Sequence, residues 1–369
     1  MAYDARRRGS IRGGGSAPGL DAESVAVREI QLGAGVSPRS GAAAVRKIGL
    51  SMVIGQRHDD RAIKVHPLVR QRIAHLGDQG EAWLAELPSL LADLERQWAI
   101  TVGQPLLGGT GSYVARVRAQ DGQDAVLKIA LPGFDFASEV RTISSAQGRA
   151  YVNLVASDVE RNAMLQEALG PAMEHLAMTP ESKILALCRM MRQAWQVPRP
   201  ADLTVTPADE KAGALSRLVS RLWQDLGHPC PEQVVAQALR FAQRRAAAFE
   251  LDTCVVVHGD PHPGNALQVV LPRAGAEAGF VFVDPDGFLA DPAYDLGVVL
   301  RDWCAQLLAA DAPALARRYC RLLATRTGVD ETAIWEWGFL ERVSTGLYVL
   351  EYGAEDLARP FLTTAELLI

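Results

Sequence analysis

The chain has 369 residues, of which 49% are hydrophobic and 22% charged; that length supports two or three packed units, and the composition excludes a disordered chain. A formal net charge of -5 excludes the global basic field that recruits nucleic acid and leans weakly towards a cationic small-molecule partner. No apolar run reaches the roughly 18 residues of a membrane span, and no apolar stretch follows Arg6-Arg7-Arg8 as it would in a secretory leader.

The first 51 residues are rich in Gly, Ala, Ser and Arg without a clear period and are expected to form a flexible tail, with Met52 as an alternative start. Residues 52–98 are expected to be a helical segment. Leu84, Leu87, Leu91, Leu94 and Trp98 recur at helical spacing, and Gly77, Gly80 and Pro88 are expected to break the helix. Residues 99–168 read as a small sheet-rich lobe. Its strands include Tyr113–Val117 and Ala125–Ile129, joined by the turn Asp121-Gly122, with further strands at 150–156 and 161–166 and a helix at 135–146. After Gly170-Pro171 the pattern turns helical, giving a lobe over 169–369. Helices are expected at 171–196, 209–227, 231–249 and from 292 onward, with short β-like runs at 254–257 and 280–283. The fold class is therefore α+β. Five scattered cysteines without CxxC spacing predict reduced thiols, no zinc site and a cytoplasmic protein.

Each β-like run of the second lobe ends in polar residues that suit phosphoryl transfer. That chemistry needs a group to orient the acceptor hydroxyl, a divalent metal, a cation on the phosphates and a loop to cover them. His258-Gly259-Asp260-Pro261-His262-Pro263-Gly264-Asn265 follows the strand Val255–Val257 and carries His-x-Asp-x-x-x-x-Asn spacing, with Asp260 facing the acceptor and Asn265 on the metal. A plain Pro/Gly turn would explain the composition but not this order on a hydrophobic strand. His258 reads as a prop for the loop; His262 is left open between solvent and substrate. Asp284, ending Phe280–Val283, is the other metal candidate; Asp286 is a second ligand, a substrate contact or the residue closing its turn. Asp295 is expected to cap a helix or brace the catalytic loop.

In the first lobe, Lys128 lies inside the apolar run Ala125–Ile129, an expensive place for an ammonium without partners. It is read as the phosphate-binding cation, with Glu139 as its helix carboxylate. Leu107-Gly108-Gly109-Thr110-Gly111-Ser112 is the candidate phosphate-covering turn, so Gly108, Gly109, Gly111 and Ser112 are nucleotide-binding candidates. Gln166, Glu167 and Ala168, where strands give way to helices, are the candidate adenine-binding hinge. Candidate acidic contacts for a cationic acceptor are Asp302, Glu336, Glu341, Glu351, Glu355 and Asp356, and Trp303, Trp335 and Trp337 could meet a sugar face.

With VLKIA, VVVHGDPHPGN, FVFVDPDG and DPAYDLG in place, the chain from about Trp98 onward resembles the aminoglycoside phosphotransferase family. GRAYVNLVASD, DPDGFLADPAYDLGVVLRDW and ERVSTGLYVLEYG resemble its aminoglycoside/hydroxyurea kinases, the group with streptomycin 6-phosphotransferases. The resemblance implies a protein-kinase-like two-lobed fold, ATP and Mg²⁺, Asp260 as base, and Asn265 with Asp284 as metal ligands. It implies a polycationic aminoglycoside of the streptomycin type as acceptor. The alternatives are the same chemistry on another small alcohol, sugar or hydroxyurea, or an inactive nucleotide-binding module. The tail and the hinge Gln166-Glu167-Ala168-Leu169, in place of the family's Leu-Glu-Arg-Leu, depart from the pattern.

Overall fold

The computed structural model describes residue 65 and residues 67–106, 111–200, 203 and 210–369. The expected tail lies outside these, and so do Gly108 and Gly109.

Two helices come first, α1 (Pro67–His75) and α2 (Asp78–Trp98), separated at Gly77. Gly80 and Pro88 do not break α2, contrary to expectation. A proline in a helix interior costs about 3 kcal/mol. Leu87, Leu91 and Leu94 are buried on this helix, each contributing about 1.5–3 kcal/mol, so packing outweighs the lost backbone bond. Gly80 sits directly against the backbone of Ile73 on α1, which leaves no room for a larger side chain.

Five antiparallel strands follow: β1 (Ile100–Pro105), β2 (Ser112–Ala119), β3 (Asp124–Ala130), β4 (Leu154–Asp158) and β5 (Ala163–Glu167), in the order β1-β2-β3-β5-β4. The leucines of α2 share one core with Tyr113, Val117, Leu127 and Ile129. The helical segment expected as a separate unit therefore packs as one layer of the sheet lobe. Side chains alternate along a strand, so Lys128, between Leu127 and Ile129, points to the other face. That face holds α3 (Phe136–Ala146), whose first turn is capped by the Asp135 carboxylate accepting from Ser138 N at 3.1 Å.

The strand expected at 150–156 starts only at Leu154. Ala150 turns the chain with φ 58°, and residues 150–152 pair with the other lobe. Phe282 N donates to Ala150 O at 2.7 Å, and Val152 N donates to Phe282 O at 2.9 Å.

The second lobe holds α4 (Pro180–Ala194), α5 (Lys211–Asp225), α6 (Glu232–Ala247), α7 (Ala293–Arg301), α8 (Cys304–Leu308), α9 (Ala312–Thr327), α10 (Glu331–Glu351) and α11 (Glu355–Leu367). The helix expected from 171 begins at Pro180. Ala172 bridges to Leu267 instead, and Thr179 caps α4 by accepting from Ser182 N. Two short antiparallel pairs lie among the helices, β6 (Val255–Val256) with β9 (Leu289–Ala290) and β7 (Ala266–Gln268) with β8 (Phe280–Phe282). Helix α10 has buried residues on every side, from Trp335 to Val349, and is the central post of the lobe. No described helix is long and apolar enough to cross a membrane, and the five cysteines are free thiols.

Candidate active site

The loop after β6 carries the first cluster. Its shape is fixed by groups that do not face the cleft. Asp295, in the first turn of α7, is fully buried; it accepts from His258 N at 3.0 Å, from Gly259 N at 2.9 Å and from Trp195 Nε1 at 2.8 Å. The bracing role expected for it is what the geometry contains. His258 props the loop from inside: its Nε2 lies 3.0 Å from Val283 O, and its Nδ1 accepts from Asp260 N at 3.1 Å. Gly259 has φ 93°, and a Cβ there would lie 2.6 Å from the Asp286 side chain, so only glycine lets the two loops meet.

Burial pushes the His258 ring down from 6.5 to about 4. Folding therefore keeps it neutral where the unfolded chain would bind a proton. His258 contributes stability that is fully present above pH 6.5 and is lost as pH drops from there towards 4, by up to about 3 kcal/mol. Burial raises the Asp286 carboxyl, which acts in the opposite direction over the same range. The readout is therefore the difference in urea midpoint between the unaltered chain and His258→Gln: it should be largest at pH 7.5 and shrink towards pH 4.

Three separated segments converge on Lys128. Its Nζ donates to Glu139 Oε1 on α3 at 2.6 Å and to Asp284 Oδ1 after β8 at 2.8 Å. Burial opposes its charge, but the two carboxylates prevail and hold the ammonium above its usual range. Asp284 adopts φ 58°, a left-handed conformation that costs a non-glycine residue about 1–2 kcal/mol. Strain of this kind collects where a carboxylate must be aimed.

Asn265 and Asp284 stand at the same end of the β7–β8 ladder, because Ala266 pairs with Phe282 and Val283 N donates to Asn265 O. Asn265 Nδ2 donates to Asp260 O at 3.1 Å. Its Oδ1 is buried with no hydrogen-bond partner among the described residues. An orphaned amide oxygen near a carboxylate is a donor set for a hard divalent cation such as Mg²⁺.

Asp260 is 4% exposed. Its Oδ1 pairs with Arg301 Nη2 at the end of α7. Its Oδ2 has no hydrogen-bond partner among the described residues and lies 3.4 Å from His262 Nε2. Although burial disfavours its charge, Arg301 and His262 together hold the carboxyl well below the usual carboxylate range. His262, left open by the sequence, N-caps the turn Pro263–Asn265 through Nδ1 and faces Asp260. Asp286 N donates to His258 O at 2.7 Å, and burial pushes its own carboxyl up to about 7.

Other expected residues fall in different surroundings. Ser112 pairs with Ala130 and Gly111 O accepts from Leu131 N, with the Phe134 ring over Gly111. Gln166 and Glu167 end β5, and Ala168 follows it at the crossover between lobes. The Glu167 carboxylate is committed to Asn153 and, at 2.6 Å, to Arg273, and Glu167 N donates to Asn153 O at 3.0 Å. Glu336 is buried against Arg244 and Arg245, Glu351 pairs with Arg221 and Glu355 with Arg359, all away from Asp260. Trp335 and Trp337 are core residues. Of the six acidic candidates, Glu341 and Asp302 alone join the Asp260 cluster, and both do so through Arg301.

Arg301 was not singled out by the sequence argument. The signal was present: a lone cation closing the apolar run Val298-Val299-Leu300, the same pattern that marked Lys128.

The family model for aminoglycoside/hydroxyurea antibiotic resistance kinases matches residues 97–353. The chain belongs to that family. Among relatives of these antibiotic resistance kinases, a streptomycin 6-kinase of Streptomyces glaucescens is 25% identical over 82% of this chain and 95% of its own. A hydroxyurea phosphotransferase of Kitasatospora aureofaciens is 24% identical over 82% of this chain and 84% of its own. The choline kinase LicA of Streptococcus pneumoniae superposes with a TM-score of 0.52 at 13% identity, covering 77% of this chain and 99% of that one; another structure of LicA holds AMP. The fold is protein-kinase-like with two lobes, and this resistance-kinase family member is a phosphotransferase acting on an alcohol group.

Proposed function

We propose that the chain phosphorylates a hydroxyl of a streptomycin-type aminoglycoside, using ATP and Mg²⁺. The observation that carries this reading is Lys128 Nζ bound between Glu139 and Asp284: it joins the sheet lobe, α3 and the loop after β8 into one polar site. Lys128 takes the nonreacting phosphates and is held by Glu139. Gly111, Ser112 and the preceding Gly108 and Gly109 cover the nucleotide, and the backbone at Gln166–Ala168 takes its adenine. Asn265 Oδ1 and the Asp284 carboxylate would hold the metal, which would supply positive charge to neutralise the phosphates.

Asp260 Oδ2 accepts the hydrogen bond of the acceptor hydroxyl. As the oxygen–phosphorus bond forms and the bond from the γ-phosphorus to the ADP oxygen breaks, the hydroxyl proton passes to Asp260. The relative that phosphorylates hydroxyurea supports a second reading, in which the acceptor is a smaller hydroxyl compound.

The two readings are separated by ADP release measured with streptomycin, other aminocyclitols, tuberactinomycins and hydroxyurea. Turnover with streptomycin above the others is expected. Robust turnover elsewhere and none with streptomycin would overturn the acceptor assignment.

A further inference from the structure

We infer that Arg301 is the positioning residue of the acceptor site: it locks Asp260 so that one chosen oxygen, Oδ2, meets the acceptor hydroxyl.

A carboxylate has two equivalent oxygens and a broad, two-fold torsion about its terminal bond. Left alone, Asp260 could present either oxygen to a hydroxyl, or neither. The structure removes that freedom. Arg301 Nη2 holds Oδ1, which turns Oδ2 towards His262 Nε2 at 3.4 Å, while Arg301 Nη1 donates to Glu341 Oε2 at 3.0 Å. The other Glu341 oxygen accepts from Tyr294 OH at 2.8 Å. The guanidinium is thus clamped on both sides by a chain running Tyr294, Glu341, Arg301, Asp260. Every member is nearly or fully buried, with Arg301 at 7% and Glu341 at 0% exposure.

The chain exists because two helices touch. A Cβ at Gly297 on α7 would lie 2.4 Å from Trp337 Cβ on α10, and one at Gly338 would lie 2.9 Å from Leu300. Only glycines permit this approach, and it sets Arg301 on α7 beside Glu341 on α10. A guanidinium also suits the task better than an ammonium, because its planar fork bonds two carboxylates in fixed directions. With both Nη atoms engaged and little surface exposed, Arg301 acts through Asp260 rather than on the acceptor.

This inference rests on the proposed phosphotransfer at Asp260, and the test separates the two. Arg301→Lys, Asp260→Asn and the double variant are assayed in the full chain for kcat and KM, with melting curves for each. Arg301→Lys should lower kcat about 10- to 100-fold, the scale of a misplaced catalytic group, with KM for ATP unchanged. In the Asp260→Asn background the same change should alter kcat less than about 3-fold, because the residue it positions is gone. Glu341→Gln, which keeps the volume and leaves Arg301 in place, should show the same background dependence with a smaller loss. It carries the test if Arg301→Lys does not fold. Equal losses in both backgrounds would overturn the positioning role, as would a raised acceptor KM with unchanged kcat. Absence of turnover by the unaltered enzyme on every acceptor would overturn the functional reading, and this inference with it.

Discussion

Asp260→Asn is expected to lower kcat by about 10²–10⁴ while nucleotide affinity stays at the unaltered value. The substitution keeps the shape of the side chain and removes its charge. Oδ2, buried and without a hydrogen-bond partner among the described residues, is the atom left for the hydroxyl. An amide in its place accepts a hydrogen bond weakly and cannot take a proton, so about 3–5.5 kcal/mol of transition-state stabilisation disappears. The nucleotide and metal contacts proposed above fall to Lys128, Glu139 and Asp284, none of which bonds the Asp260 carboxylate. Steady-state turnover together with ATP titration of the same protein gives both quantities. Turnover close to the unaltered enzyme would show that Asp260 is not the acceptor-facing group.

Asp295→Ala should cost about 3–6 kcal/mol of folding stability. Three donors converge on this one buried carboxylate: His258 N, Gly259 N and Trp195 Nε1. Alanine leaves two buried amides without an acceptor, at about 1–3 kcal/mol for each, and the half-buried indole N–H at less. A loss of that size consumes a large part of the roughly 5–15 kcal/mol that holds a typical domain together. The shift should appear as a lower urea midpoint at an unchanged slope, since the folded core is otherwise the same. A loss below about 1 kcal/mol would show that the loop is held by other contacts. Activity should fall with stability, because the two amides belong to His258 and Gly259, the residues that lead into Asp260.

Much of this site was legible from local pattern. Lys128 betrayed itself as an ammonium inside an apolar strand, and burial with two carboxylates is the physical solution found here. Asp260 and Asn265 were legible because their spacing within one loop is a local property. The brace at Asp295 followed from its place at a helix start. What escaped were pairings made across the fold. Arg301 meets Asp260 and Glu341 only because two helices pack through glycines, and no local periodicity encodes that contact. The strand misplaced at 150–156 has the same origin. Its residues are largely apolar, but Ala150 turns the chain and residues 150–152 found their partner, Phe282, in the other lobe. Pro88 and Gly80 misled in the opposite sense, since their local preference for a break yields to burial of one helix face.

The seam at Ala150–Val152 determines how the cleft can open. Besides the Lys128–Asp284 ion pair, the lobes are joined by the covalent crossover after Glu167 at the end of β5 and by the bonds to Phe282 just before β4 begins. Arg273 ties the two joints together, bonding Glu167 at 2.6 Å and Tyr151 O at 3.0 Å. Both joints sit at the β4–β5 side of a sheet ordered β1-β2-β3-β5-β4. Two pins on one edge make a door rather than a ball joint. A swing of the sheet about that edge would move β5 least and the β1–β2 edge most, and it would have to part Lys128 from Asp284 first.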